Sequence, residues 1–141
     1  MKKIISLSVF VLLVVTFFTI NSVAVDKKPL TTISKSAKVE VYYFHFTRRC
    51  VTCQAVETES QKAIAALYPV QYKKGLITFK SVNLDVKGSE VLAAKCKTEG
   101  QALLVISGKK RIDLTEKGFM YAKSSPDKLK GELKKTIDPL L

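Results

Sequence analysis

The residues with the clearest chemistry in this 141-residue chain are two cysteines separated by two residues, Cys50 and Cys53. Residues 39–46, just before them, are β-branched or aromatic at nearly every position, which predicts a buried strand. After Cys50 the apolar residues recur with a helical period. A strand leading into a helix that begins at C-x-x-C places a dithiol beside the free N–H groups of the first turn, so we expect thiol chemistry there.

The two cysteines have different expected roles. The thiolate is the attacking species in disulfide exchange, and a helix N-terminus lowers the pKa of a thiol placed on it. Arg48 and Arg49, together with an S–H donated by Cys53, are expected to lower the pKa of Cys50 further. We therefore predict that Cys50 attacks and Cys53 resolves the mixed disulfide. The alternative is an inert structural disulfide, although so short a loop constrains the unfolded chain little.

The remaining cysteine and the single histidine each have two interpretations. Cys96 is either a third thiol that joins the dithiol or a small buried apolar residue. His45 is either a base that tunes the thiols or a hydrogen-bonded residue of the core. The aromatic residues of the first strand are predicted to lie in the core, and they are Tyr42, Tyr43, Phe44 and Phe46.

The rest of the chain predicts alternating strands and helices. Further strands are predicted at residues 76–84, 102–107 and 110–115, with helices after Cys50, at 89–97 and from Pro126. Gly100 is expected just past the end of the 89–97 helix. Residues 116–123 are predicted to form a loop whose Phe119, Met120 and Tyr121 either pack or form a contact patch.

The order of these elements is β-α-β-α-β-β-α. Crossovers through helices predict parallel strands early in the chain, and the closing hairpin adds an antiparallel edge. The expected fold class is therefore α/β, with a central mixed sheet and helices packed on both of its faces.

The N-terminal residues have the pattern of a targeting segment. Lys2 and Lys3 precede an apolar run at residues 4–20, and Ser22-Val23-Ala24 offers a cleavage site. We predict a signal peptide at 1–24, or an uncleaved membrane anchor, then a polar tether at 25–36 and the domain at 37–141. Either form places the domain outside the cytoplasm, in a periplasmic or extracellular location.

The formal net charge is +12, but the lysines are scattered among acidic residues without an arginine-rich stripe. This pattern favours a solvated basic surface over nucleic-acid binding. The sequence has no nucleotide fingerprint, no phosphate-binding glycine loop and no paired catalytic carboxylates. We therefore expect no cofactor and no resident metal.

The order of elements, with C-x-x-C opening the first helix, resembles the thioredoxin fold over roughly residues 39–140. Within it, YYFHFTRRCVTC and IDLTEKGFMYA are similar to a group of small exported bacterial thioredoxin-like proteins, the ArsF type, described as nitrophenyl compound nitroreductase subunits. The resemblance implies a redox-active dithiol, a protein thiol or disulfide as partner, and an arsenic or redox context.

Three positions differ from the pattern of thioredoxins. Arg49 stands where a Trp usually precedes the first cysteine, and Phe44 stands where a buried carboxylate is usual. Ala102 stands where a cis-proline normally faces the dithiol. A cis bond before a residue other than proline costs about 2.5–4 kcal/mol, so we expect Gln101–Ala102 to be trans and the substrate loop to differ.

The leading functional hypothesis is an exported thiol–disulfide oxidoreductase, with the direction of electron flow left open. A second hypothesis is a partner or scaffold subunit that has kept the fold without turnover. A third is a protein that binds a soft metal or metalloid through its thiols, because thiolates are soft ligands.

Overall fold

The computed structural model describes residues 38–141, and the predicted leader, tether and first domain residue lie outside that part. Four strands form one sheet in the order β2-β1-β3-β4. Their bounds are Val39–His45 for β1, Ile77–Asn83 for β2, Ala102–Ser107 for β3 and Lys110–Asp113 for β4. β2 runs parallel to β1, whereas β3 is antiparallel to β1 and to β4.

Five helices and a final 3-10 turn pack around this sheet. They are α1 Val51–Leu67, α2 Pro69–Lys73, α3 Ser89–Lys95, α4 Thr115–Tyr121, α5 Pro126–Ile137 and the turn Asp138–Leu140. The α/β class with a mixed sheet is therefore confirmed. Between residues 38 and 141, no helix combines the length and apolar character needed to cross a membrane.

The core has two parts, one on each face of the sheet. Side chains alternate along β1, so Val41 and Tyr43 join the larger cluster while Tyr42 and Phe44 join the smaller one. The larger cluster receives side chains from α1, α4 and α5, and the smaller one receives Ala93 from α3. Helices therefore cover both faces, as expected.

The ends of helix α1 are set by Cys50 and Pro69. Cys50 is its N-cap residue and has extended backbone angles. The Cys50 sulfur accepts a hydrogen bond from the backbone N–H of Cys53. The apolar face predicted for this helix is confirmed, because Val56 and Ile64 are buried in the larger cluster. The helix ends before Pro69, since the residue preceding a proline is disfavoured in the helical region. Pro69 then starts the one-turn helix α2, which the sequence analysis missed.

The C-terminal helix α5 begins at Pro126, as predicted, after Ser125. The Ser125 side chain makes no capping hydrogen bond, and its backbone carbonyl instead accepts from the N–H groups of Lys128 and Leu129. The predicted apolar stripe is fully buried, and its members are Leu129, Leu133 and Ile137.

The predicted loop at 116–123 is wrong, because Thr115–Tyr121 forms helix α4. Asp113 ends β4 and accepts hydrogen bonds from both the N–H and the hydroxyl of Thr115, which starts the helix. Gly118 lowers the helix propensity but lets α4 approach the core closely. Met120 is exposed, while Phe119 and Tyr121 pack against the larger cluster, so these three side chains do not form one exposed patch.

The predicted end of α3 is also wrong by two residues. The helix stops at Lys95, and Lys97 takes the left-handed conformation with φ of 54°. The N–H groups of Lys97 and Thr98 bond back to the carbonyls of Ala94 and Ala93, as in a Schellman cap. A lysine thus occupies the position expected for glycine, and Gly100 lies farther along the loop.

Candidate functional site

The dithiol, meaning Cys50 and Cys53, lies where the carboxyl end of β1 passes into α1. Cys50 is exposed, and its Sγ accepts the N–H of Cys53 at 3.2 Å. Cys53 is on the first turn of α1 and is only 5% exposed. Both thiols are free, so the structure presents the reduced form of the pair.

The two thiols differ in their acidity. The hydrogen bond from the Cys53 side chain, and then that from the Cys53 backbone, lower the pKa of Cys50 below its ordinary value. Burial, and then the hydrogen bond to Cys50, raise the pKa of Cys53. An exposed thiol with a lowered pKa therefore stands in front of a buried thiol with a raised pKa, and attack by the first and resolution by the second stay predictions.

Gln101 is the residue of the loop before β3 that contacts the dithiol. Its Oε1 lies 3.6 Å from the Sγ of Cys53 and is an alternative acceptor to Cys50 for the single S–H of that thiol. Ala102 points to the other side of the sheet, where it joins the smaller core cluster. The Gln101–Ala102 peptide bond is trans, as expected for a residue other than proline. The side-chain amide of Gln101, one residue before the position where the resemblance implied a proline, therefore contacts the dithiol, whereas Ala102 itself points away from it.

Arg49, the residue before the first cysteine, pairs with Glu57 of α1. Burial by itself raises the pKa of Glu57, but hydrogen bonds from Ser81 and Arg49 outweigh it and lower that pKa. Glu57 follows Cys53 by four residues, so both side chains lie on one face of the helix. Arg48 is exposed. The hydrogen bonds within the dithiol, rather than either guanidinium, are the main causes of the low pKa of Cys50.

His45 is the last residue of β1 and is 7% exposed. Its Nδ1 lies 2.9 Å from the backbone oxygen of Phe46 and donates to it. The ring stacks on Tyr43, with centroids 5.8 Å apart, and its positive form favours ionised Glu57 and Asp85. The histidine is therefore a hydrogen-bonded residue on the dithiol face, close to Glu57.

Cys96 lies on the opposite face of the sheet from the dithiol. It is 3% exposed in the smaller cluster with Tyr42 and Phe44, and burial raises the pKa of its thiol. The strands therefore separate Cys96 from Cys53. In the described residues, no three His, Cys, Asp or Glu side chains are grouped so that they could hold one metal ion.

Phe46 is not a core residue, contrary to the sequence prediction, because β1 ends one residue before it and its side chain is 38% exposed. It lines a surface cavity of about 670 Å³ beside α3, together with Leu84, Ala93 and Thr98. This cavity opens near the loop that carries Gln101. Its wall is mixed, because Glu90, Lys97 and Glu99 line it as well.

Two residues near the dithiol were missed by sequence reasoning about function. The sequence could have identified Glu57, because this residue follows Cys53 by four positions and so lies on the same face of a helix that starts at C-x-x-C. Tyr43 was assigned to the core, and the structure does bury it fully. Burial raises the pKa of its hydroxyl, and the charges of Cys53, Arg49 and Glu57 also influence that pKa.

Comparisons with known proteins give little further information. No family model matches the chain, and no curated protein matches it. A solved chain titled "Structure of a malarial protein" is similar at 25% identity and a TM-score of 0.44, with 70% of this chain and 96% of that chain covered. That TM-score is too low to establish a shared fold.

Proposed function

We propose that this protein is a thiol–disulfide oxidoreductase with a thioredoxin-like fold, acting through Cys50 and Cys53. The observation that carries the proposal is the asymmetry of the two thiols. Cys50 is exposed, caps α1 and accepts the N–H of Cys53 at 3.2 Å, whereas Cys53 is buried behind it. A structural cysteine would gain nothing from an exposed thiol whose pKa is lowered by its neighbour.

The topology supports a thioredoxin-like assignment. The strand order β2-β1-β3-β4, with β1 and β2 parallel and β3 and β4 antiparallel, is compatible with that fold. The C-x-x-C opens the helix that follows β1, and the loop before β3 faces it. These are the positions at which such a fold would hold its dithiol and its substrate loop.

The proposed reaction has two exchange steps. The Cys50 thiolate attacks one sulfur of a partner's disulfide, forms a mixed disulfide and releases the other partner sulfur as a thiolate, which takes a proton from water. The Cys53 thiolate then attacks the Cys50 sulfur, closes the Cys50–Cys53 disulfide and releases the second partner thiol. Two electrons pass from the dithiol to the partner, and the reverse sequence oxidises a partner dithiol.

The direction of the reaction depends on the reduction potential of the pair. A low pKa of Cys50 stabilises the reduced form, which favours action as an oxidant. Equilibration of the domain with defined ratios of reduced and oxidised glutathione would give that potential. Mass spectrometry after rapid alkylation would count the reduced molecules.

The test of the proposal is the reduction and oxidation of a model protein disulfide by the domain. We expect Cys50→Ser to abolish turnover, and Cys53→Ala to trap a mixed disulfide with the partner. Cys96→Ala is the matched control, because this cysteine lies on the other face of the sheet. Equal turnover by the wild type and Cys50→Ser would refute the proposal.

A scaffold function is the second candidate, and the cavity beside Phe46 is the observation that favours it. An exposed aromatic side chain over a recess lined by both apolar and charged side chains can hold a partner without thiol exchange. Binding of a partner by a Cys50→Ser, Cys53→Ser double variant would support a scaffold. Loss of binding in that variant, together with retention in Cys96→Ala, would favour exchange instead.

We also propose that the domain acts outside the cytoplasm, on the basis of the basic and apolar pattern at residues 1–24. Disulfides form and persist in such oxidising compartments. The intact mass of the protein from the exported fraction tests both forms of the proposal. A mass without residues 1–24 means cleavage, and one that includes them means a tethered domain.

A further inference from the structure

Five lysines that lie far apart in the sequence meet at one end of the sheet, opposite the dithiol. They are Lys38 before β1, Lys73 and Lys74 before β2, and Lys109 and Lys110 at the hairpin between β3 and β4. All five are exposed, and within residues 38–141 none of them forms an ion pair. We call this group the lysine pole.

Hydrogen bonds of Lys38 bring the three segments of the lysine pole together. Its N–H donates to the carbonyl of Leu76 at 2.8 Å, so it lies beside the turn that leads into β2. Its carbonyl accepts from the hydroxyl of Ser107 at 2.8 Å, so it also lies beside the hairpin turn. Neighbouring strands are about 4.8 Å apart, and the lysines therefore form a row across the ends of adjacent strands.

Two carboxylates lie towards this end of the sheet, and each has another lysine as its partner. Glu40 pairs with Lys80 at 3.3 Å. Asp138, which accepts from the hydroxyl of Tyr68, pairs with Lys134. At the dithiol end, by contrast, guanidinium and carboxylate groups are mixed. The charge of the lysine pole is therefore available to an anionic partner.

An apolar side chain stands beside these lysines. Val70 of α2 is 57% exposed, and its carbonyl accepts from the N–H of Lys74 at 3.0 Å. Binding to a membrane surface combines burial of apolar side chains with attraction to anionic lipid. A nucleic acid would use the positive charge but would gain little from the valine, so the pole fits a lipid surface better.

The chain enters the described part at this same end. Residues 1–37 are joined to Lys38, and they include the apolar run 4–20 that we predicted as a leader or an anchor. Residues 21–37 span at most about 60 Å when fully extended, so an anchor in that run keeps the lysine pole within this distance of the bilayer. The attachment point therefore favours a bilayer as the partner.

We propose that the lysine pole docks on the surface of an anionic phospholipid bilayer, with the dithiol facing away from it. The inference goes beyond the proposed exchange reaction and does not depend on it. Each lysine close to such a surface strengthens binding about fivefold. β1 runs from Val39 at the pole to His45 at the dithiol, a rise of about 20 Å. The surface potential is screened over about 8 Å in physiological salt, so the dithiol lies outside it.

The direct test maps the exposed lysines of the full chain on vesicles. The vesicles contain phosphatidylcholine alone or phosphatidylcholine with phosphatidylglycerol, and mass spectrometry measures the acetylation rate of each lysine. On the anionic vesicles, the lysine pole should be acetylated about fivefold more slowly or less. Lys87 and Lys123, which are exposed elsewhere, should react equally on both kinds of vesicle. High salt should remove the protection, because it screens the attraction.

Charge removal tests the cause of the protection. Lys109→Gln with Lys110→Gln should weaken docking about 25-fold, because two lysines are lost. The two lysines before β2, which remain, should then lose their protection at a lower salt concentration than in the wild type. Lys87→Gln with Lys123→Gln is the matched control, since it removes the same charge and should leave that salt concentration unchanged.

The orientation is tested at Cys50. Its alkylation by iodoacetamide should proceed at the same rate on both kinds of vesicle, because the dithiol faces the solution. Slower alkylation on the anionic vesicles would mean that the dithiol end faces the bilayer, which overturns the inference.

The remaining outcomes are equally decisive. Equal acetylation of the lysine pole on both kinds of vesicle overturns the inference. If a DNA duplex protects the pole while anionic vesicles do not, the partner is a nucleic acid and the inference is wrong. If the protein reduces no disulfide but its lysine pole is protected, the oxidoreductase proposal fails while membrane docking stands.

Discussion

The guanidinium of Arg49 pairs with the carboxylate of Glu57, four residues beyond Cys53 on the same helix. The pair joins the residue before the dithiol to the first turns of α1. It also neutralises a positive charge that the sequence suggested would act on Cys50. The charge of the site is therefore balanced by a residue outside the C-x-x-C motif.

Removal of the Glu57 charge should make Cys50 more acidic. In Glu57→Gln the guanidinium of Arg49 loses its counter-charge and is free to favour the adjacent thiolate, so the pKa of Cys50 should fall by a fraction of a pH unit. The rate of alkylation of Cys50 by iodoacetamide, followed by mass spectrometry across pH, gives the midpoint. The shift should shrink at high salt, because the Cys50 thiolate is exposed and salt screens its attraction to the guanidinium.

Glu59→Gln is the matched control for that experiment. Glu59 lies on the same helix and pairs with Lys62, away from the dithiol. Its substitution should leave the Cys50 midpoint where it was. An unchanged or raised midpoint in Glu57→Gln would mean that the charge of Arg49 does not reach Cys50.

The hydrogen bond from Cys53 should account for most of the acidity of Cys50. Since that bond is the largest cause of the low pKa, Cys53→Ala should move the pKa of Cys50 upwards, towards the ordinary value of a thiol. The backbone N–H of residue 53 remains in place, so part of the lowering should persist. At neutral pH a higher pKa means less thiolate and slower alkylation.

The same alkylation assay checks this expectation. Cys96→Ala serves as the control, since it removes a thiol from the other side of the sheet. A Cys50 midpoint that is unaltered in Cys53→Ala would assign the acidity to the end of the helix alone.

Two helical glycines offer a test of the packing beneath the site. A Cβ on Gly118 of α4 would meet methyl carbons of Leu103 and Val56 at 3.2 Å, whereas Gly131 of α5 has open space. Replacing glycine by alanine inside a helix increases the free energy of unfolding by about 1 kcal/mol, but overpacking a core lowers it by about 1–3 kcal/mol. Gly131→Ala should therefore stabilise the domain, while Gly118→Ala should destabilise it.

Urea unfolding at equilibrium measures both effects. The two variants make the same chemical change in a helix, so their difference isolates the close approach of α4 to the core. If Gly118→Ala were as stabilising as Gly131→Ala, then Val56 and Leu103 would have room to move and the contact would not limit the packing.

Sequence alone was sufficient where one local rule determined the structure. The cysteine pair predicted the helix start, because an N-terminal turn is where a C-x-x-C gains its N–H contacts. Pro126 marked the start of α5, and β-branched residues marked the strands. The nearly continuous apolar run of β1 also predicted a buried Tyr43, but not that its hydroxyl would have no hydrogen-bond partner within residues 38–141.

The failures have a common physical cause, which is that tertiary contacts overrode local preference. The low helix propensity of Gly118 disfavours a helix at α4, yet the absence of a side chain at this residue lets α4 approach Leu103. Lys97 adopts a left-handed conformation for which the sequence favoured Gly100. Phe46 extends the aromatic run of β1, but the sheet ends at His45 and leaves the ring over a cavity.

The last prediction concerns soft ions. The free thiols Cys50 and Cys53 lie within one helical turn, so both sulfurs can reach one trivalent arsenic. Cys96 is buried on the other face of the sheet and cannot join them without rearrangement of the core. We therefore expect arsenite to bind one per molecule through two sulfurs, with an affinity that Cys96→Ala leaves unchanged and Cys53→Ala greatly weakens. Titration calorimetry of the reduced protein gives the stoichiometry and the affinity, and X-ray absorption spectroscopy counts the sulfur ligands of the arsenic. Three sulfurs per arsenic, or a large loss of affinity in Cys96→Ala, would mean that the metalloid draws Cys96 through to the dithiol face and that the sheet edge opens to admit it.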